Sequence, residues 1–132
     1  MTEQEIAKLF KRIKFWATPQ RIAVYKYLYE NRTHPDALEI YNSVVKLNPS
    51  FSKTTVYNSL SALEECGLIN KINVDGDSAH YDADVDLHGH FVCDRCERIY
   101  DFDIKNIDCD MPASFDVLGR YVCYRGLCPE CK

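Results

Sequence analysis

Residues 88–96 read HGHFVCDRC, which places histidines and cysteines close together at a density typical of metal binding. Cys93 and Cys96 form one Cys-x2-Cys pair. A second pair, Cys128 and Cys131, follows after 31 intervening residues. Because four thiolates complete a tetrahedral Zn²⁺ site and leave no open position, the sequence predicts a structural zinc site.

The histidines of this stretch are not needed by a zinc ion that already holds four thiolates. His88 and His90 alternate with Gly89 on a predicted strand, so both imidazoles point to one side of it. The acidic residues nearest to them in sequence are Asp82, Asp84, Asp86, Asp101 and Asp103. Imidazole with carboxylate suits Fe²⁺, Mn²⁺ or Zn²⁺, so one interpretation is a second metal site. The other is a pair of surface histidines beside a zinc site.

Length and composition limit the classes of protein that could contain these sites. A chain of 132 residues with 46% hydrophobic residues is long enough for one large or two small folded domains. No apolar run approaches the roughly 18 residues of a membrane helix, and the first residues do not resemble a signal peptide. We therefore expect a cytoplasmic protein whose seven cysteines are not disulfide-paired. Cys66 and Cys123 are predicted as buried packing residues, and Cys109 has no assigned role.

Charge is distributed unevenly along the chain. The net charge is −4, which argues against a uniformly basic nucleic-acid binder. Residues 1–72 carry ten Lys/Arg and seven Asp/Glu, whereas residues 73–132 carry six and thirteen. Either the asymmetry is chance, or a basic first half faces phosphate and an acidic second half collects cations.

The elements that must position these residues begin with four predicted helices. The expected N-caps are Thr2, Thr18, Asp36 and Ser52. The fourth helix would bury Val56, Leu60 and Leu63 and end at Gly67. After it, Asp75-Gly76 predicts a hairpin turn. Helices followed by a hairpin favour a winged helix-turn-helix that binds DNA, although an ordinary solvated helix face is the alternative.

Short apolar runs follow in the second half of the chain. Strands are predicted at Phe91-Val92, Ile99–Phe102, Phe115–Leu118 and Tyr121-Val122. So small a sheet buries little core, which is why a metal or a partner chain is expected to stabilise it. The predicted fold class is thus α+β, with a winged helix-turn-helix domain before a small sheet-rich domain that carries the four-cysteine zinc site.

Several motifs together resemble the ferric uptake regulator family of bacterial metal-dependent repressors. They are ATPQR (17–21), HPDALEIY (34–41), SKTTVYNSL (52–60), ECGLI (65–69), HGHFVCDRC (88–96) and CPEC (128–131). The resemblance implies a DNA-binding domain with hinge over residues 1–82 and a dimerisation domain over residues 83–132. It also implies a homodimer on a palindromic operator in double-stranded DNA, with no enzymatic activity, no small-molecule substrate and no membrane.

The resemblance further implies specific site residues. A regulatory Fe²⁺ or Mn²⁺ would be held by His34, Asp82, His88, His90 and Asp101, and DNA would be contacted by Arg21, Lys53, Thr54, Thr55, Tyr57 and Asn58. Aspartate at both acidic positions is more similar to the peroxide-sensing branch than to the iron-sensing one. That branch implies Fe²⁺-dependent oxidation of His34 or His88. The alternatives are a sensor of iron, manganese or zinc availability and, from another class, a small non-haem iron enzyme.

Three departures from the family pattern matter. His80 stands where the hinge usually has arginine, so the charge partner of Asp82 is in doubt and His80 itself could compete as a ligand. Only residues 103–114 separate two predicted strands that usually enclose a helix, so that helix is expected to be short or missing. The stretch LGRYVCYRG (118–126) lacks a histidine common near that point, which argues against a third metal site.

Overall fold

The first part of the chain is helical, and each helix begins at a polar side chain that caps it. The computed structural model describes residues 1–74, 78–84, 88–117 and 122–132. Its helices are α1 (Glu3–Arg12), α2 (Pro19–Glu30), α3 (Ala37–Leu47) and α4 (Lys53–Glu65). The side chains of Thr2, Thr18, Asp36 and Ser52 each accept a hydrogen bond from the backbone N–H three residues later. All four predicted N-caps are therefore confirmed.

One apolar core joins these helices. Among its fully buried side chains are Ile6, Phe10, Val24, Leu28, Ile40, Val56, Leu60, Leu63 and Ile69. The predicted inward face of α4 lies in this core, so the opposite face of α4 is left at the surface. Gly67, at φ +82°, takes the left-handed conformation that ends the helix without steric cost.

A two-stranded hairpin follows the helices. Strands β1 (Asn70–Val74) and β2 (Ser78–Asp82) pair antiparallel, with Asn70 opposite Asp82 and Val74 opposite Ser78. The predicted turn, Asp75-Gly76, lies outside the described residues. Because β2 ends at Asp82, this hairpin is the element that positions a predicted metal ligand. We call it the wing.

The second part of the chain forms a separate three-stranded sheet. Its strands are β3 (His88–Cys93), β4 (Ile99–Asp103) and β5 (Cys123–Gly126), in the order β4-β3-β5. β3 pairs antiparallel with β4 and parallel with β5. The chain divides into two compact units, Met1–Val85 and Asp86–Lys132. Helices in one and a small sheet in the other give the predicted α+β class.

Several details of the second unit differ from the sequence prediction. Phe115 and Val117 lie outside any strand and are largely exposed, while Leu118 lies outside the described residues. Of the strand expected at Tyr121-Val122, Tyr121 lies outside the described residues, and Val122 lies just before β5, whose position is set by its pairing with β3. Residues 104–117 contain no helix.

The two cysteines predicted as buried packing residues are not buried. Cys66 is exposed at the end of α4, where its thiol donates to the Leu63 carbonyl, and Cys123 is only partly covered. A capping hydrogen bond satisfies a small polar group at a helix end, so Cys66 needs no apolar surroundings there. In the parts of the chain that the structure describes, no helix is long and apolar enough to cross a bilayer.

Candidate metal centres and candidate DNA-binding helix

The four paired cysteines converge at one end of the small sheet. Cys93 ends β3, and the sulfurs of Cys93, Cys96, Cys128 and Cys131 lie within 4.8 Å of one another. The Sγ atoms of Cys96 and Cys128 are 3.8 Å apart. A tetrahedral zinc ion with Zn–S bonds of about 2.3 Å would place its sulfurs about 3.8 Å from each other. The cluster therefore fits a four-thiolate zinc site.

Hydrogen bonds inside the cluster favour the thiolate form at one position and oppose it at another. The backbone N–H groups of Cys96 and Cys128 each donate to the Cys93 sulfur over 3.5 Å, and they lower the pKa of that thiol to about 6. The hydrogen bond with Cys128 raises the pKa of Cys131 to about 12. Four thiolates so close together require a cation to balance them, and binding of that cation displaces the remaining protons.

An outer layer of side chains surrounds the cysteine cluster, and sequence patterns gave no sign of it. Interaction with the Tyr100 hydroxyl lowers the pKa of Cys128, and the same interaction raises the pKa of Tyr100. Arg98 donates to the Tyr100 hydroxyl over 3.5 Å and to Glu130 over 3.2 Å. Such outer partners orient a thiolate ligand and stabilise its charge. These outer side chains could be predicted only from the strand register that places Tyr100 near Cys128, and sequence patterns do not give that register.

A second group of donors lies on one face of the same sheet. His88 and His90 point to one side of β3, and their ring centroids are 4.5 Å apart. Asp101 stands opposite His90 across the β3–β4 pair. The Asp101 Oδ1 atom is 3.4 Å from His90 Nε2 and 3.8 Å from His88 Nε2. We call these three residues the sheet half-site.

The separations in the sheet half-site are longer than an ordinary N–H···O hydrogen bond. Two ligand atoms at about 2.1 Å from a shared cation lie roughly 3.0–3.4 Å apart, depending on its coordination geometry. The sheet half-site is close to that spacing. Gly89 makes the arrangement possible, because a Cβ at this position would collide with the Phe102 ring on the opposite face.

The first unit contains a matching pair of donors. His34 and Asp82 are both buried, and His34 Nε2 lies 3.5 Å from Asp82 Oδ2. The other carboxylate oxygen of Asp82 accepts a hydrogen bond from the Asp84 N–H over 2.9 Å. It also lies 3.9 Å from the Arg32 guanidinium. We call His34 and Asp82 the wing half-site.

Arg32 is the cationic neighbour of Asp82 that the hinge sequence left unassigned. With histidine at position 80, the hinge lacks its usual cationic neighbour for Asp82, and Arg32, two residues after the end of α2, takes that place. His80 instead has its Nδ1 atom 2.6 Å from the His34 carbonyl oxygen. That nitrogen is engaged with the backbone and is not free to bind a cation. Sequence reasoning missed Arg32 because it lies 50 positions from Asp82 along the chain.

The exposed face of α4 carries most of the predicted DNA contacts. Lys53, Thr54, Tyr57 and Asn58 are exposed, and the Lys53 ammonium lies 5.9 Å from the centre of the Tyr57 ring. Thr55 is half-buried, and its hydroxyl is hydrogen-bonded to Ser52 at the N-cap. Arg21 stacks over the Phe15 ring at 4.4 Å and donates to the Trp16 carbonyl.

Comparison with known proteins identifies the group to which this fold and these donor sets belong. Residues 13–114 match the model of the ferric uptake regulator family. The chain belongs to this family. Members of this family are transcriptional regulators, so a small non-haem iron enzyme is no longer a competing interpretation.

Individual relatives agree with this assignment. A peroxide-responsive repressor, PerR, from Staphylococcus epidermidis is 31% identical over 98% of this chain and 89% of its own length. The peroxide stress regulator of Campylobacter jejuni has a TM-score of 0.69 at 29% identity and covers 99% of each chain. The ferric uptake regulator of Helicobacter pylori shares the fold, with a TM-score of 0.74 at 20% identity, over 99% of this chain and 94% of its own.

Proposed function

We propose that this chain is a metal-dependent transcriptional repressor that binds a palindromic operator as a homodimer and responds to peroxide. The observation that carries the proposal is the presence of a histidine–aspartate half-site in each of the two units. The wing half-site supplies His34 and Asp82, and the sheet half-site supplies His88, His90 and Asp101. Membership of the family and the exposed α4 support the DNA-binding part.

A shared regulatory cation would connect the two units. Neither half-site offers more than three donors, whereas Fe²⁺ and Mn²⁺ prefer five or six, with nitrogen and oxygen ligands. A cation that takes donors from both half-sites stabilises only those arrangements in which both are presented together. It therefore shifts the population toward one arrangement by its differential affinity for it. We propose that this arrangement is the one that binds the operator.

Metal-dependent operator retention tests this mechanism. Mn²⁺ should increase operator affinity of the wild-type protein at least tenfold, by about 1.4 kcal/mol or more, which is within the usual range of coupling energies. Asp82→Ala and His90→Ala each remove a ligand from one half-site, and both should abolish the Mn²⁺ effect in a gel-shift or anisotropy titration. A matched variant, Asp110→Ala, changes an exposed aspartate outside both half-sites and should retain it. Mn²⁺-independent binding by the wild type would contradict the mechanism.

DNA contact through α4 gives a second test. Tyr57 and Thr54 are proposed to touch base edges, including thymine methyl groups, and Lys53 and Arg21 to touch phosphates. Tyr57→Ala should cost about 1–3 kcal/mol of operator affinity and relax sequence specificity. Tyr57→Phe, which keeps the ring beside Lys53, is the control and should lose less. An unchanged affinity and footprint for Tyr57→Ala would show that α4 does not read the operator.

The peroxide response is proposed to run through the half-site histidines. A bound Fe²⁺ would supply one-electron cleavage of H₂O₂, and the imidazoles beside it are the nearest groups to be oxidised. Oxidation of His34 or His88 removes a ligand and with it the energy that favours the DNA-binding arrangement. The peroxide-responsive relatives support this proposal. The remaining alternative is a sensor of iron, manganese or zinc availability that leaves its histidines unmodified.

A further inference from the structure

We infer that His80 is a positioning residue that fixes the His34 segment to the wing, so that the wing half-site and the wing move as one piece. The inference rests on the proposed function, because it takes His34 and Asp82 as metal ligands. His80 is not a ligand in this scheme. It acts through His34, by holding the backbone from which that imidazole projects.

Three contacts join the segment 34–36 to strand β2. The His80 Nδ1 atom lies 2.6 Å from the His34 carbonyl oxygen. The Tyr81 N–H donates to the Pro35 carbonyl over 3.0 Å. Asp36 and His80 form an antiparallel bridge pair. The segment before α3 is thus added to the wing as a short extra edge, although 46 positions separate His34 from His80.

His34 needs such support because of its backbone conformation. Its φ angle is +57°, in the left-handed region that non-glycine residues occupy infrequently. In that conformation the carbonyl oxygen faces β2, where His80 meets it. Residues two apart on a strand point to the same side, so His80 and Asp82 project together toward the segment. His80 holds the backbone of His34, and Asp82 meets its imidazole at 3.5 Å.

This arrangement defines which chemical group position 80 must supply. A carbonyl oxygen only accepts hydrogen bonds, so the His80 Nδ1 atom carries the hydrogen. An asparagine amide nitrogen stands at the same number of bonds from the backbone as Nδ1 and can replace it. A glutamine amide extends one carbon further and misses the position, and leucine offers no donor.

The experiment compares His80→Asn, His80→Gln and His80→Leu in the full-length chain, with Mn²⁺ as the probe. Mn²⁺ affinity is measured by electron paramagnetic resonance titration, and Tyr81 amide exchange is measured by NMR without added Mn²⁺. Loss of the Nδ1 hydrogen bond should weaken Mn²⁺ binding about fivefold to tenfold in the Gln and Leu variants. Tyr81 exchange should accelerate by a similar factor. The Asn variant should stay near the wild type in both measurements.

The outcomes separate this inference from the proposed function. If Asn and Gln variants behave alike, or if Mn²⁺ affinity is unchanged in all three, His80 does not position His34. The Asn–Gln comparison remains decisive even if His80→Leu fails to fold. Asp82→Ala is measured in parallel. If it binds Mn²⁺ as tightly as the wild type, the proposed metal site is wrong, whereas a loss in Asp82→Ala with no effect at His80 overturns this inference alone.

Discussion

Cys96→Ser is expected to release the structural zinc and unfold the Asp86–Lys132 unit. Zinc contributes on the order of 10 kcal/mol of folding free energy to small domains built around closed thiolate sites. Among the described residues of this unit, the buried hydrophobic positions are Val92 and two of the cysteines themselves, Cys93 and Cys128. The sheet therefore has little apolar core with which to compensate for the loss of the metal.

Metal analysis and a thermal melt of the purified variant check this expectation. Zinc content should fall from one ion per chain toward zero, and the cooperative transition of the second unit should disappear. The helical circular dichroism of the first unit should remain. Cys109→Ser is the matched control, because Cys109 is exposed and lies outside the cluster. A Cys96→Ser protein that keeps its zinc and its thermal midpoint would rule out the four-thiolate assignment.

Equimolar H₂O₂ is expected to abolish operator binding by the Fe²⁺ form and to leave the Mn²⁺ form unchanged. Mn²⁺ does not readily drive the same one-electron cleavage, so the same ligands remain intact around it. The modification to look for is one added oxygen atom on His34 or His88. Trypsin cleaves at Arg32 and Lys46 and so isolates His34, whereas the peptide 72–95 carries His80, His88 and His90. Fragmentation of that second peptide is needed to locate the oxygen.

Asp101→Glu tests why the length of the acid matters. The carboxylate of Asp101 meets both imidazoles of the sheet half-site at 3.4 and 3.8 Å. One more methylene would move the carboxylate relative to the two imidazoles and so would change how peroxide could approach a bound Fe²⁺. We expect this variant to keep metal-dependent DNA binding and to respond less to H₂O₂. If the wild-type Fe²⁺ protein survives peroxide with unmodified histidines, the chain is instead a sensor of metal availability.

Local patterns were enough to predict the helices and the cysteine cluster. The helix starts follow from short-range chemistry, since an N-cap such as Thr18 or Asp36 acts on an N–H three residues away. The zinc site follows from ligand number and spacing, which are set by the metal. Both kinds of information lie within a few residues of where they act, so a single sequence carries them.

Contacts between distant residues could not be predicted in the same way. Arg32 takes the place of the expected cation beside Asp82, and His80 contacts the backbone carbonyl of His34. Both contacts depend on how the wing packs on the helices. The apolar run at Phe115 and Val117 has the composition of a strand but lies outside the sheet. The strand that pairs with this edge of β3 is β5. Whether a segment joins a sheet depends on the neighbouring strands with which it pairs, and composition alone does not identify those strands.

Strand β3 carries the proposed ligands of both metals, with His88 and His90 in its first half and Cys93 at its end. His90 and Cys93 are three residues apart, or about 10 Å along an extended strand. We therefore expect the two ions to load in order: zinc would first stabilise the strand, and only then would His88 and His90 be placed to bind iron or manganese. A cell short of zinc would then make copies of this regulator that do not bind the second metal. The supply of zinc would thus limit the response to iron or manganese.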